Sequence, residues 1–234
     1  MNEDFIWMAG GPQGSGVDSS ANIFARACCY GGLHVYGKRE YSSNIKGLHS
    51  YFHIRVSQKE IGAFVDRVDL LCAFDAESVV RHIWEVVPGG SIICDAEVLG
   101  MKIASIPSVQ FSFFEEFNEK LEKKGLHPET VGDLLNEVKK NNVKIYSIPY
   151  IEILKEIGKE TGEEQLSKLT RMINVLALGA SFGLTNYDKK YVEKAINMIF
   201  EKKQKIIPIH NFNIRSFYIK LNQERWMLST IYKL

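Results

Sequence analysis

Residues 5–16 read Phe5-Ile6-Trp7-Met8-Ala9-Gly10-Gly11-Pro12-Gln13-Gly14-Ser15-Gly16. An apolar run broken at once by four glycines predicts a buried strand that ends in a tight turn. Directly after it, Val17, Ala21, Phe24, Ala25 and Cys28 recur at the spacing of one helix face. The unit is strand, glycine loop, helix. Gly31 and Gly32 end that helix, and residues 33–36 alternate apolar and polar as a second strand.

Working outward, residues 37–48 form a polar segment, and residues 49–56 alternate again. Parallel neighbours need a crossover of about a dozen residues or more, usually helical, so 49–56 should lie antiparallel to 33–36. Further strands are expected at 68–74, 91–94 and 143–148, with a turn at 88–90. Helices are expected at 77–87, within 111–159, at 168–182 and at 187–200. Strands alternating with helices predict a three-layer Rossmann-like α/β domain whose central sheet is mostly parallel but mixed.

Composition narrows the function classes. The chain has 234 residues, 45% hydrophobic and 24% charged, with a formal net charge of +1. That balance lacks the basic footprint of a protein that binds nucleic acid. There is no apolar run of the roughly 18 to 20 residues needed to cross a membrane, and Glu3 and Asp4 stand where a signal peptide is basic. A cytoplasmic protein with no membrane partner is expected. Residues 201–234 carry seven Lys/Arg against two Asp/Glu, which suits a solvated terminus or a segment that docks on an acidic partner. Cys28, Cys29, Cys72 and Cys94 form no CxxC pair and are read as core packing.

Two segments could carry chemistry. A helix N-terminus exposes unpaired N–H groups, and glycines let an anion approach them. Gly14 and Gly16 with Ser19 approximate a dinucleotide fingerprint, and Lys38 and Arg39 stand where an acid would hold a ribose, which suits a 2′-phosphate. The same glycines also serve a turn with no ligand. The second segment, 38–49, offers three cations, two hydroxyls and an amide for an anion, or is simply solvated. The candidate cofactor-binding residues are therefore Gly11, Gly14, Ser15 and Gly16 from the first loop, and Arg39, Ser42, Ser43, Asn44, Lys46 and Gly47 from the second. His49, Tyr51 and His53 share one strand face, and with His34 they are read as structural histidines at a sheet surface. Asp75 and Asp95 follow strands and are read equally as ligand groups or as caps. No catalytic triad or metal-ligand spacing can be assembled.

The two loops also carry a resemblance. Gly10 to Gly16, residues 35–37, residues 44–49 and His53-Ile54-Arg55-Val56-Ser57 come in an order and spacing similar to the gamma subunit of 2-oxoacid:ferredoxin oxidoreductases of the pyruvate and ketoisovalerate type. Residues 69–75, the turn at 88–90 and residues 174–184 add to the likeness, which includes the form fused at the N-terminus of the archaeal alpha subunit. It covers residues 5–200. Lys46-Gly47-Leu48 departs from the family's paired glycines. The thiamine pyrimidine-domain motif, the magnesium-diphosphate motif and the cysteine clusters of the family's other parts are not found in this sequence.

The resemblance implies a gamma-type domain at residues 1–200, with 201–234 a basic extension or the truncated start of a following domain. It implies a part in the oxidation of a 2-oxoacid with coenzyme A to an acyl-CoA and carbon dioxide, with electrons passing to ferredoxin. Thiamine diphosphate, magnesium, iron-sulfur clusters and coenzyme A would belong to the assembled enzyme, none of them bound by this chain alone. The chain would supply assembly and a coenzyme A-facing surface, would be inactive alone, and would partner the thiamine-binding subunits directly and ferredoxin indirectly. A homo-oligomer in isolation is compatible with that role. Two alternatives stay open, a stand-alone NADP-binding Rossmann-like protein and a ligand-free scaffold.

Overall fold

The computed structural model describes residues 4–41, 48–106, 111–162 and 172–201. Strand β1 (Asp4–Pro12) is flanked by β3 (His49–Ser57), antiparallel to it, and by β4 (Val68–Ala73), parallel to it. Edge strand β2 (His34–Tyr41) pairs antiparallel with β3, while β5 (Val86–Asp95) and β6 (Lys144–Ile148) extend the parallel side. The order is β2-β3-β1-β4-β5-β6. Among the described strands only β3 runs against the rest, as the short polar connection before it required.

Helices cover both faces. Helices α1 (Val17–Tyr30), α5 (Tyr150–Thr161), α6 (Ile173–Leu184) and α7 (Lys189–Ile199) contribute to one core, where Trp7 stacks on Phe24 at 4.4 Å and Phe24 on Phe182 at 4.9 Å. Trp7 Nε1 donates to Ser181 Oγ at 3.0 Å, which satisfies a fully buried indole. Helices α2 (Ala76–His82), α3 (Phe111–Lys124) and α4 (Val131–Lys139) build the second core on Met8, Leu71, Ile92 and Cys94. The architecture is the expected mixed α/β sandwich.

Several local expectations are corrected. Residues 38–41 are not loop but the end of β2, where Lys38, Arg39 and Glu40 pair with His53, Phe52 and Tyr51. Charged residues on an edge strand mask the alternation that marks a strand, and they also deter pairing with other chains. The turn expected at 88–90 is a bulge inside β5: Val68 pairs with Val86, but Leu70 already pairs with Ser91. Gly89 takes φ +83°, and a Cβ on Gly90 would lie 2.8 Å from Val87 O and 3.0 Å from Asp69 O, so the bulge needs both glycines. Cys28, Cys72 and Cys94 are buried as expected, but Cys29 is exposed, because it sits on the solvent side of α1. His49 and His53 lie not at a sheet surface but under α2 and the 58–67 connection, each 3% exposed.

Candidate functional site

Strands β1 and β4 are parallel neighbours, yet the helix after β1 packs on one face of the sheet and the helix after β4 on the other. Their carboxyl ends therefore open a crevice at a topological switch point, the usual ligand position in such sheets. The glycine loop lines it. Gly10 is buried beneath Ser78, whose Cβ and Oγ would lie 3.0 Å from an added Cβ, and Gly11 lies as close to Ser15 and Phe74. Gly14 takes φ +96° with open space where a side chain would point, and Ser15 is exposed, its N–H donating to Pro12 O at 2.9 Å. Gly16 takes φ +101° and caps α1, but the side chain of Asn174 on α6 fills the space beside it. That approach serves packing within the chain.

The described ends of the polar segment reach the same crevice. Because β2 runs parallel to β1 and β3 returns, the end of β2 and the start of β3 lie at the end of the sheet that carries the glycine loop. The two are tied directly: Gln13 N–H donates to Leu48 O at 2.7 Å, Ser50 Oγ donates to Gly11 O at 3.2 Å, and Arg39 Nη2 reaches Asp18 Oδ2 at 2.8 Å. Lys38 pairs with Glu40. Both cations thus have carboxylate partners within the chain, which a 2′-phosphate would have to displace or share. Ser42, Ser43, Asn44, Lys46 and Gly47 lie outside the described residues. Asp75 and Asp95 prove to be caps, accepting from Ser78 N–H at 2.8 Å and Glu97 N–H at 3.1 Å, and burial raises the pKa of both carboxyls.

A cluster that sequence reasoning missed lies against the crevice on the α2 side. His49 Nε2 is 2.7 Å from His82 Nε2, and His82 Nδ1 is 2.7 Å from Glu85 Oε1. Glu85 Oε2 stands 3.5 Å from His53 Nε2, too far for a good hydrogen bond. Tyr51 packs its ring edge on His82 and His53, and its hydroxyl donates to Glu40 at 2.7 Å. Burial works to raise the Glu85 pKa, but His53 and His82 outweigh it and hold the carboxyl at about 2. Burial pushes His49 down to about 3, helped by the neighbouring His82 and Arg81. Two signals pointed here: one parity for His49, Tyr51 and His53, and the i, i+3 spacing of His82 and Glu85.

Among the described residues no group of three or more His, Cys, Asp or Glu is placed to hold a metal ion. The cysteines sit on α1, β4 and β5, and burial pushes the Cys72 and Cys94 thiols up to about 12, which keeps them protonated and poor ligands. These residues do not fit an iron-sulfur cluster or a magnesium-diphosphate site. No helix among the described residues is long and apolar enough to cross a membrane.

The family model for pyruvate ferredoxin/flavodoxin oxidoreductase matches residues 6–216. The chain is 38% identical over 198 residues to the 2-oxoacid:ferredoxin oxidoreductase subunit alpha of Saccharolobus solfataricus, covering 84% of this chain and 31% of that one. It is 31% identical over 222 residues to 2-oxoacid:ferredoxin oxidoreductase 2, subunit alpha, of Aeropyrum pernix, covering 95% and 34%. It thus spans about a third of the length of these curated relatives. Its fold is similar to that of 2-oxoglutarate:ferredoxin oxidoreductase from Magnetococcus marinus, with 2-oxoglutarate, coenzyme A and succinyl-CoA bound (TM-score 0.69, 20% identity), over all of this chain and 33% of that one. It is also similar to the keto/oxoacid ferredoxin oxidoreductase gamma subunit from Geobacter sulfurreducens (TM-score 0.61, 16% identity), over 94% of this chain and 99% of that one.

Proposed function

The chain belongs to the pyruvate ferredoxin/flavodoxin oxidoreductase family, and on that premise we propose that it is the gamma-type domain of a thiamine-diphosphate-dependent 2-oxoacid:ferredoxin oxidoreductase. The whole enzyme converts a 2-oxoacid, coenzyme A and oxidised ferredoxin into acyl-CoA, carbon dioxide and reduced ferredoxin. This chain holds none of the thiamine or iron-sulfur chemistry. It supplies assembly and, at the crevice, part of the surface that coenzyme A meets, while thiamine-binding subunits are its direct partners.

The observation that carries this reading is the meeting of the glycine loop and the 38–49 segment at one switch-point crevice, tied by Gln13 to Leu48 and by Asp18 to Arg39. An exposed glycine loop with Ser15, next to Arg39, offers backbone N–H groups and a guanidinium fork, and the sequence of 42–47 adds hydroxyls, the donor set for phosphate groups. A gamma subunit similar along nearly its whole length, and an enzyme holding coenzyme A of which this fold matches a third, support it. The NADP reading has less support, since Asn174 occupies the approach to Gly16 and both nearby cations are paired. Residues 1–200 are the gamma-type domain in this reading, and 201–234 a basic extension or the start of a further domain.

The test is reconstitution. The chain is co-expressed with candidate thiamine-binding subunits, the complex is isolated, and coenzyme A-dependent reduction of ferredoxin by 2-oxoacids is measured. Activity of the complex that is absent from either part alone is expected. Full activity of the partners without this chain would overturn the proposal.

A further inference from the structure

The buried polar chain on the α2 side of β3 has no part in the reading above. Two imidazole nitrogens 2.7 Å apart must share one proton: one donates and the other accepts. Glu85 decides which. As a carboxylate it accepts, so His82 carries a proton on Nδ1; in the neutral imidazole pair its Nε2 then offers a lone pair and His49 donates from Nε2. The remaining nitrogen, His49 Nδ1, is then an unprotonated acceptor that is buried with no hydrogen-bond partner among the described residues. The ends of this chain differ: His49 and His82 are 3% and 4% exposed, while Glu85 is only partly buried.

What the chain holds is the start of β3. His49 immediately follows Leu48, whose carbonyl receives Gln13 N–H, and precedes Ser50, which donates to Gly11 O. Residues 48–50 are therefore gripped by the glycine loop and, through His49, by α2. We propose that Glu85 and His82 are positioning residues: they form a carboxylate–imidazole–imidazole chain that fixes the tautomer of His49 and pins the start of β3 onto α2. The charged and titratable groups around the chain are Arg81, Glu77 and Asp75 at α2, Tyr51 and His53 on β3, Glu40 and Lys38 on β2, and Asp66 in the following connection. Its functional readout rests on the coenzyme A-facing reading of the 38–49 segment, but its geometry does not.

Two measurements on the full 234-residue chain test it without activity. With histidines labelled in 15N, NMR at neutral pH is expected to show a nitrogen–nitrogen coupling across the His49–His82 hydrogen bond, a protonated His82 Nδ1 and an unprotonated His49 Nδ1. Backbone amide exchange over residues 48–52 is expected to speed up about tenfold or more in Glu85→Ala and far less in Glu85→Gln, which keeps an acceptor oxygen. In the reconstituted enzyme, Glu85→Ala should raise the KM for coenzyme A several-fold at unchanged kcat. A protonated His49 Nδ1, or a missing coupling, overturns the chain even if the variants fail to fold. Unchanged exchange in Glu85→Ala overturns the pinning, and unchanged KM overturns the positioning role. A wild-type complex with no coenzyme A dependence overturns the proposed function alone, because the NMR and exchange results do not draw on it.

Discussion

Arg39 Nη2 and Asp18 Oδ2 lie 2.8 Å apart, joining the edge strand β2 to the first turn of α1. The two side chains are 38% and 50% exposed, so solvent screens the pair and its worth to the fold is about 0–1 kcal/mol. Its interest lies in where it holds the guanidinium, at the rim of the crevice and beside the glycine loop.

Arg39→Ala should therefore leave stability almost unchanged and act on coenzyme A. If the crevice is partly desolvated in the assembled enzyme, losing a charge-assisted phosphate contact costs about 1.5–3 kcal/mol, or roughly ten- to a hundredfold in affinity. Steady-state kinetics of the reconstituted complex, varying coenzyme A and the 2-oxoacid in turn, separate the cases. An equal effect on both substrates points to an assembly defect, and no effect on either returns Arg39 to a solvated ion pair. Lys46→Ala is expected to follow Arg39→Ala.

Gly16 and Gly14 share a positive φ but differ in surroundings, which makes a clean comparison. Alanine at either position should cost about 1–2 kcal/mol for the left-handed backbone. Gly16→Ala should cost more, because its new methyl group meets Asn174, whereas at Gly14 nothing lies within 4 Å. In an Asn174→Ala background the two glycine variants should become equally destabilised by urea unfolding. A gap that persists there means that Asn174 is not what Gly16 accommodates.

Ser181→Ala should be costly for so small a change. It leaves the Trp7 indole N–H without its acceptor at a site that is 0% exposed on both sides of the bond. An unsatisfied buried donor costs about 1–3 kcal/mol, and each kcal/mol lowers Tm by about 2–4 °C at this chain length. Ser181→Thr keeps an acceptor and should lose less. Calorimetry on the two variants decides it.

Acid should weaken the fold through the buried imidazole. Folded His49 is pushed down from 6.5 to about 3, so between those values the unfolded chain binds a proton that the folded chain does not. Stability must then rise with pH across that window, by up to about 1.4 kcal/mol per pH unit from this group, and fall on acidification. Glu85, held at about 2 against the ordinary 4.5, acts in the same direction: its contribution is present above 4.5 and is lost as pH falls through 2. Urea midpoints between pH 7 and pH 4 should drop steeply in the wild type and less steeply in His49→Gln. Equal slopes would show that His49 is not the titrating group.

The sequence was legible where periodicity and burial agree. Phe5 to Ala9, the helix face of Val17, Ala21, Phe24 and Cys28, and the antiparallel return of β3 all follow from local pattern, and each is found. Lys38 to Glu40 were misplaced because an edge strand needs no apolar face, and Pro88 to Gly90 because a bulge uses the same residues as a turn. Of the candidate site, the glycine loop was visible as a motif, but its closeness to Asn174 was not, since 158 positions of sequence separate the contact from Gly16. The histidine chain was hidden for the same reason. His49 and His82 meet only after β1 and β4 have paired, and each alone reads as an ordinary core or surface histidine.

Among the described strands β3 alone runs backwards, and a connection between antiparallel neighbours such as β2 and β3 can lengthen or shorten without disturbing strand register. The ladder from Tyr41 paired with Ser50 back to His34 paired with Ser57 stays the same whatever is inserted between its ends. The sheet therefore carries one tunable edge at the end that holds the glycine loop, where evolution or design can exchange loops at little risk to the core. The glycine loop beside it, fixed by two left-handed residues and the start of a helix, has no such freedom.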